Sequence, residues 1–183
     1  EGKLEAIITD QEDCFLQLQD YLRESQPEKL PLLTRYSDSL VSLTKVYSLE
    51  KAMADALSRR VWLKSGGYLV IEPTEAMTVI DVNTGKYPGK KNMAETVLRL
   101  NLEAAWEIGR QLRLRNLSGI IVVDFIDMER TEDSQILLKT LGQAVAADPV
   151  KTTVVEMTKL GLVELTRKKV RRPLSEQIQE NEK

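Results

Sequence analysis

Two apolar stretches of this chain each end in an aspartate, and a long helical segment separates them. "TVIDVN" covers residues 78–83, and "IVVDFID" covers residues 121–127. The residues from about 92 to 115 have apolar side chains at helical spacing. Short apolar strands that alternate with amphipathic helices are typical of layered α/β domains. We therefore predict an α/β layered domain over residues 57–178, with a mixed sheet and flanking helices.

Charge divides the chain into two parts. Residues 1–56 contain 6 basic and 11 acidic side chains, so we interpret residues 1–56 and 57–183 as separate units. The other predicted strands are 4–10, Val61–Leu63, Tyr68–Ile71, 152–157 and 161–169, and the other predicted helices are 11–24, 48–60 and 131–147. Tyr68–Ile71 and Met77–Val82 are expected to form a hairpin-like pair beside an edge strand at Val61–Leu63.

The absence of histidine limits the chemistry open to this chain. Without histidine there is no Ser–His or Cys–His nucleophile, and Cys14 alone cannot build a zinc site or an intrachain disulfide. We expect no zinc site, no membrane segment, no signal peptide and a cytoplasmic location. The chain begins at Glu1 rather than Met, which we interpret as a sign of a fragment or a processed product.

The strongest candidate site consists of the two aspartates at the strand ends. If the strands are neighbours, Asp81 and Asp124 converge, since ligands of α/β sheets bind at the carboxyl ends of strands. Two close carboxylates favour a bound cation, and Mg²⁺ or Mn²⁺ prefers such oxygen ligands. Asn83 lies two residues after Asp81 and points to the same face of a strand. The alternative is that these side chains only cap turns.

Two other phosphate-site motifs fail on spacing. Gly85 and Gly89 do not fit a P-loop, because Lys90 is followed by Lys91 and not by Ser or Thr. An aspartyl-phosphate phosphatase requires Asp-x-Asp, whereas Asn83 stands at the second position and cannot act as a general acid.

Two groups of cations are candidates for contacts with phosphate. The first follows the Asp81 strand and consists of Lys86, Lys90 and Lys91. The second lies in residues 158–172 and consists of Lys159, Arg167, Lys168, Lys169, Arg171 and Arg172. Charge alone leaves open that the second group is ordinary solvated surface. We assign Tyr68, Tyr87 and Trp106 to packing rather than base stacking, since aromatics do not alternate with basic residues.

Three segments resemble the ribonuclease E/G family: "GGYLVIEPTEAMTVIDVNTGKY", "NLEAAWEIGRQLRLRNLSGIIVVDFIDM" and "GLVELTRKK". The resemblance runs from about Ser65 to Arg167. It implies a DNase I-like catalytic subdomain at 57–183 and part of an RNase H-like subdomain at 1–56. It also implies that Asp81 and Asp124 are magnesium ligands and that Asn83 assists them.

The resemblance further implies cleavage of single-stranded RNA to 5′-phosphate and 3′-hydroxyl products. The family's RNA-binding barrel and 5′-sensing domain precede the matched region, and its zinc link follows it. We therefore expect a magnesium-dependent endoribonuclease core that is weak or inactive alone, with Lys86, Lys90, Lys91, Lys168, Lys169 and Arg171 on the RNA. The intact protein is expected to form a homo-oligomer through this subdomain. The alternative is a non-catalytic RNA-binding or assembly module.

Overall fold

The computed structural model of the chain describes residues 4–85 and 93–181. The chain divides into two compact units, Glu1–Met53 and Ala54–Lys183. The assignment of the two units to RNase H-like and DNase I-like subdomains, with a boundary at residues 56 and 57, stays a prediction.

The first unit contains a small parallel sheet and one long helix. Its elements are β1 (Ile7–Thr9), α1 (Glu12–Ser25), a 3₁₀ helix (Pro27–Leu32), β2 (Leu33–Arg35) and α2 (Leu43–Val46). Strands β1 and β2 pair in parallel. Helix α1 ends just before Pro27, as expected where a proline disfavours helical geometry in the preceding residue. Helix α3 (Leu49–Leu57) spans the division between the units.

The second unit is built on a six-stranded mixed sheet, as the sequence predicted. Its strands are β3 (Arg60–Trp62), β4 (Tyr68–Pro73), β5 (Met77–Asn83), β6 (Gly119–Asp124), β7 (Thr152–Met157) and β8 (Leu162–Arg167), and its helices are α4 (Met93–Leu114), α5 (Thr131–Ala146) and α6 (Leu174–Asn181). The strand order is β3-β4-β5-β6-β8-β7. Among the described strands of this sheet, β5 and β6 form the one parallel pair, and α4 supplies the crossover between them.

One face of this sheet packs against α4 and α5. Alternate strand residues point to that face, so Ile80, Val82, Ile121 and Val123 are buried with the apolar stripes of the two helices. The predicted stripe of α4 is confirmed: Val97, Ala104, Ala105, Ile108 and Leu112 are all buried. The residues between the buried ones point to the opposite side of the sheet, which we call the outer face.

Candidate metal centre and nucleic-acid site

The two predicted aspartates lie side by side at the carboxyl ends of the two parallel strands. Asp81 of β5 is in register with Asp124 of β6. Adjacent strands run about 5 Å apart, so the two carboxyl groups leave the outer face next to each other. The parallel crossover through α4 produces this arrangement, because it brings both strand ends to one edge of the sheet.

The electrostatics of this pair favour a cation. Desolvation raises the pKa of the Asp124 carboxyl, and the negative charges of Asp81 and Asp127 raise that pKa further. Among the residues described, no salt bridge involves any of these three carboxylates. The site therefore concentrates negative charge that no cationic side chain in the described ranges neutralises by an ion pair.

Asn83 orients one member of the pair. Its side-chain amide Nδ2 donates a hydrogen bond of 2.7 Å to Oδ2 of Asp81. Both residues lie on the outer face of β5, where neither is fully buried. The bond fixes one carboxylate oxygen and leaves the other, Oδ1, for another partner.

Asn101 attaches the segment after β6 to helix α4. This asparagine is completely buried. Its Nδ2 donates to the Ile126 carbonyl at 2.8 Å, and its Oδ1 accepts from the Ile126 N–H at 3.1 Å. Ile126 lies between Asp124 and Asp127, so a buried side chain on α4 holds the backbone that carries both acids.

A tight pair of glycine turns supports the end of β5. A Cβ on Gly67 would lie 2.8 Å from the Asn83 carbonyl oxygen, and a Cβ on Gly85 would collide with the Gly66 carbonyl oxygen. Gly85 also has a φ of 62°, which favours glycine. The carboxylate of Glu103 on α4 accepts hydrogen bonds from the backbone N–H groups of Lys64 and Ser65. The chain that flanks Asn83 is thus held to α4.

The donor set suits a hard cation. Within residues 4–85 and 93–181, no three or more acidic, histidine or cysteine side chains are grouped as a metal cluster. Mg²⁺ does not need such a cage: it is usually held by one or two carboxylates, with water and substrate phosphate as its other ligands. Asp81 and Asp124 fit that pattern, whereas a zinc site requires more protein ligands than two.

Most of the second predicted cation group lies away from the carboxylates. The exception is Lys159, which is exposed in the turn between β7 and β8, at the end of β8 that pairs with Asp124. Lys168, Lys169 and Arg171 follow β8 at its far end, because Leu162 at the other end is the residue paired with Asp124. About six residues at roughly 3.4 Å each separate Leu162 from Lys168, which is about 20 Å. Their role in RNA binding stays a prediction. Lys86, Lys90 and Lys91 lie outside the described residues.

Arg167 was wrongly counted with the surface cations. It is 4% exposed, and its guanidinium pairs with Asp148 at 2.7 Å. It also donates to the Asn116 side chain and the Leu117 carbonyl, both at 2.9 Å. Burial alone would raise the pKa of Asp148, but Arg167 and the hydrogen bonds from Val150 and Thr152 lower it. Arg167 therefore joins the ends of β6, β7 and β8 and is not available to a ligand.

The sequence interpretation missed two features near the carboxylates. One is Asn101, a polar side chain among mainly apolar buried residues of α4, and that mismatch was a readable signal. The other is a cluster of the exposed Arg60 and Trp62 with the half-buried Tyr68. Its signal was weaker, because the cluster depends on how β3 and β4 pair.

Comparison with known proteins places these residues in a family. A model of the ribonuclease E/G family matches residues 1–170. The chain is 46% identical over 171 residues to a ribonuclease G of Haemophilus influenzae, covering 93% of this chain and 35% of that protein. It is 42% identical over 171 residues to the ribonuclease G of Escherichia coli K12, with the same two coverages.

A ribonuclease E of Nostoc is 44% identical over 165 residues, which cover 89% of this chain and 24% of that protein. The chain thus spans about a third or less of the length of these relatives. In the part of the chain that the structure describes, we find no helix with the length and apolar character needed to cross a membrane.

Proposed function

The chain belongs to the ribonuclease E/G family, and from that premise we propose that it is the catalytic core of a magnesium-dependent endoribonuclease that acts on single-stranded RNA. The observation that carries this proposal is the register of Asp81 with Asp124 at the carboxyl ends of parallel strands. The relatives are named ribonucleases, and the carboxylate pair is the group in the described chain best suited to phosphodiester chemistry.

The proposed reaction is hydrolysis of a phosphodiester. Water attacks phosphorus in line, the bond to the 3′ oxygen breaks, and the products carry a 5′-phosphate and a 3′-hydroxyl. Mg²⁺ held there, or Mn²⁺ in its place, supplies Lewis-acid polarisation of the phosphate and a template for the attacking water. Asp81 and Asp124 hold the cation, and Asn83 keeps one Asp81 oxygen fixed through its hydrogen bond. Asn101 holds the backbone behind Asp124.

Three lysines that follow β5 in the sequence complete the proposal. Lys86, Lys90 and Lys91 follow the strand that carries Asp81, and we assign them to the RNA backbone near the reacting phosphate. Lys168, Lys169 and Arg171 are assigned to more distant phosphates, given their position at the far end of β8. We also propose a cytoplasmic location and a homo-oligomer through this subdomain in the intact protein.

The competing function is a non-catalytic RNA-binding module whose acids only cap turns. The structure offers a direct comparison, because Asp38 is such a cap. Its Oδ1 accepts from the N–H groups of Leu40 and Val41, at 2.7 and 3.3 Å. In the described chain, Asp81 instead has a hydrogen bond from a side chain, Asn83, and faces a second carboxylate in register.

Substitutions that remove the negative charge but keep the side-chain shape distinguish the two functions. Asp81→Asn and Asp124→Asn keep the shape of the side chain and can still cap a turn, but they remove charge that a magnesium site needs. We expect each to abolish cleavage of a single-stranded RNA by a chimaera in which this chain replaces the matching segment of Escherichia coli ribonuclease G. The matched control is Asp38→Asn, which should leave cleavage unchanged. Cleavage at the wild-type rate by both site variants would falsify the catalytic assignment.

A further inference from the structure

An exposed aromatic cluster lies on the outer face close to the carboxylate pair. Trp62 is 64% exposed, and its ring centroid lies 5.2 Å from that of Tyr68, with the planes tilted by 58°. The Arg60 guanidinium lies over both rings, 4.6 Å from the Tyr68 centroid and 5.8 Å from the Trp62 centroid. We call Arg60, Trp62 and Tyr68 the aromatic platform. Trp62 thus contacts Arg60 and Tyr68 and leaves most of its side chain open to solvent.

Strand register places the aromatic platform beside the carboxylates. Trp62 pairs with Tyr68, and Tyr68 pairs with Asn83. One row along, Arg60 pairs with Val70, Val70 with Asp81, and Asp81 with Asp124. Directly opposed residues point to the same face, so both rows lie on the outer face. Neighbouring strands lie about 5 Å apart, so across the sheet the backbone of Arg60 lies roughly 10 Å from that of Asp81 and roughly 15 Å from that of Asp124.

A groove continues from Trp62 around the edge strand β3. It has a volume of about 630 Å³ and runs between β3 and helix α4, where Trp106 is a second exposed tryptophan. Lys64, Arg110 and Arg113 line it. Its two carboxylates already have protein partners, since Glu103 accepts from the backbone of Lys64 and Ser65, and Glu107 accepts from Arg110 and Gln111. Arg110 is the ion-pair partner of Glu107, so three cations and two carboxylates leave the groove lining with a net charge of +1, which favours an anionic occupant.

We propose that the aromatic platform is a stacking site for bases of single-stranded RNA, and that the strand leaves it through the groove between Trp62 and Trp106. Aromatic rings with neighbouring cations are the usual way in which proteins bind single strands without reading sequence. Arginine planes also stack on unpaired bases. The inference rests on the proposed function in one respect: the RNA that occupies the platform is the strand whose phosphate reaches Asp81 and Asp124.

The position of the aromatic platform defines the path of the RNA across the sheet. The bound strand crosses the outer face from β6 to β3, with its reacting phosphate at the carboxylates and bases a few nucleotides away on the platform. Bases that stack on the platform hold the RNA in place relative to the reacting phosphodiester bond. Such positioning assists the reaction. It also predicts tolerance of base identity, because every base has an aromatic face.

The test is RNA binding by the chain itself, in EDTA so that no strand is cleaved. A fluorescently labelled RNA of mixed sequence is titrated with wild type, Trp62→Ala and Trp62→Phe. We expect Trp62→Ala to weaken binding about 5- to 150-fold, and Trp62→Phe to retain most of the affinity. The control is Tyr21→Ala, which removes an aromatic side chain of similar exposure, 57%, from helix α1. It should bind RNA like wild type.

An abasic ribose-phosphate strand of the same length distinguishes stacking from charge. We expect Trp62→Ala and wild type to bind this strand equally, because it carries phosphates but no bases. The proposal is contradicted if Trp62→Ala loses affinity equally for RNA and for the abasic strand, or if it loses no affinity for RNA. It is also contradicted if the wild-type chain does not bind RNA. A change in the sedimentation coefficient of Trp62→Ala would also contradict it, by assigning the surface to a second copy of the chain.

These binding measurements are independent of cleavage. If Trp62→Ala binds RNA like wild type while Asp81→Asn abolishes cleavage, the platform is wrong and the endoribonuclease assignment stands. If Trp62→Ala weakens RNA binding while both aspartate variants still cleave, the platform stands and the metal-dependent mechanism is wrong.

Discussion

Asn101 is a buried polar residue that connects the helical layer to the candidate site. The side-chain nitrogen and oxygen of Asn101 both form hydrogen bonds with the backbone of Ile126, so each has a partner without water. A hydrophobic residue here would fill the same space but would leave the Ile126 N–H and carbonyl without their partner. We interpret Asn101 as a positioning residue, which acts on the reaction through Asp124 and Asp127.

Replacement of Asn101 should therefore alter the metal requirement as well as stability. In Asn101→Ala, loss of both hydrogen bonds costs about 1–3 kcal/mol of folding free energy. We also expect the Mg²⁺ concentration for half-maximal cleavage to rise, because the Asp124 backbone is no longer held. The control is Gln111→Ala, which removes another buried amide of the same helix that bonds Glu107 and Arg115 instead. It should lose stability with an unchanged Mg²⁺ requirement. An identical Mg²⁺ curve for Asn101→Ala and wild type would assign Asn101 to stability alone.

Among the elements, helices α4 and α5 pack closely against each other at Gly109. A Cβ there would lie 2.8 Å from the Ala144 carbonyl oxygen and 3.1 Å from the Ala144 Cβ. Gly142 on α5 has no atom within 4 Å of the position of its missing Cβ. The two glycines thus have different roles. Gly109 permits the close contact between the helices, whereas Gly142 lies where a side chain would fit.

These two positions predict opposite effects of the same substitution. Gly109→Ala should destabilise the chain by about 1–3 kcal/mol, because it forces apart two packed helices. Gly142→Ala should stabilise it by up to about 1 kcal/mol, since alanine is the better helix former and space is open. Urea denaturation of both variants measures the difference. Equal shifts of the midpoint in one direction would show that the contact at Ala144 is not tightly packed.

Elements with strong periodicity could be predicted from the sequence. Helix α4, the β4–β5 hairpin and the strand that ends at Asp124 lie where the apolar pattern places them, because burial on one face leaves a readable period. Strand β2 was not predicted, since three residues are too few to show a period. The pairing of Asp81 with Asp124 could be expected only if the strands were neighbours, whereas the aromatic platform required the β3–β4 register, which no local pattern contains.

In the second unit as a whole, the candidate carboxylates and most of the second cation group lie at opposite ends of the sheet. The carboxylates of Asp81, Asp124 and Asp127 lie at the end where β5 and β6 finish. The exposed Lys168, Lys169 and Arg171 lie beyond the other end of β8, where the buried Arg167–Asp148 pair holds the strands together. In the proposed function, the carboxylates hold the divalent cation, and Lys168, Lys169 and Arg171 contact phosphates farther along the RNA.

The central claim is that Asp81 and Asp124 hold one divalent cation, and anomalous diffraction tests it most directly. Crystals of the chain are soaked in Mn²⁺, and the same soak is applied to Asp124→Asn. We predict one anomalous peak between the two carboxylates, about 2.1–2.2 Å from an oxygen of each, and no peak there in the variant. A Mn²⁺ peak elsewhere with none between Asp81 and Asp124, or an equal peak in the variant, would contradict the account.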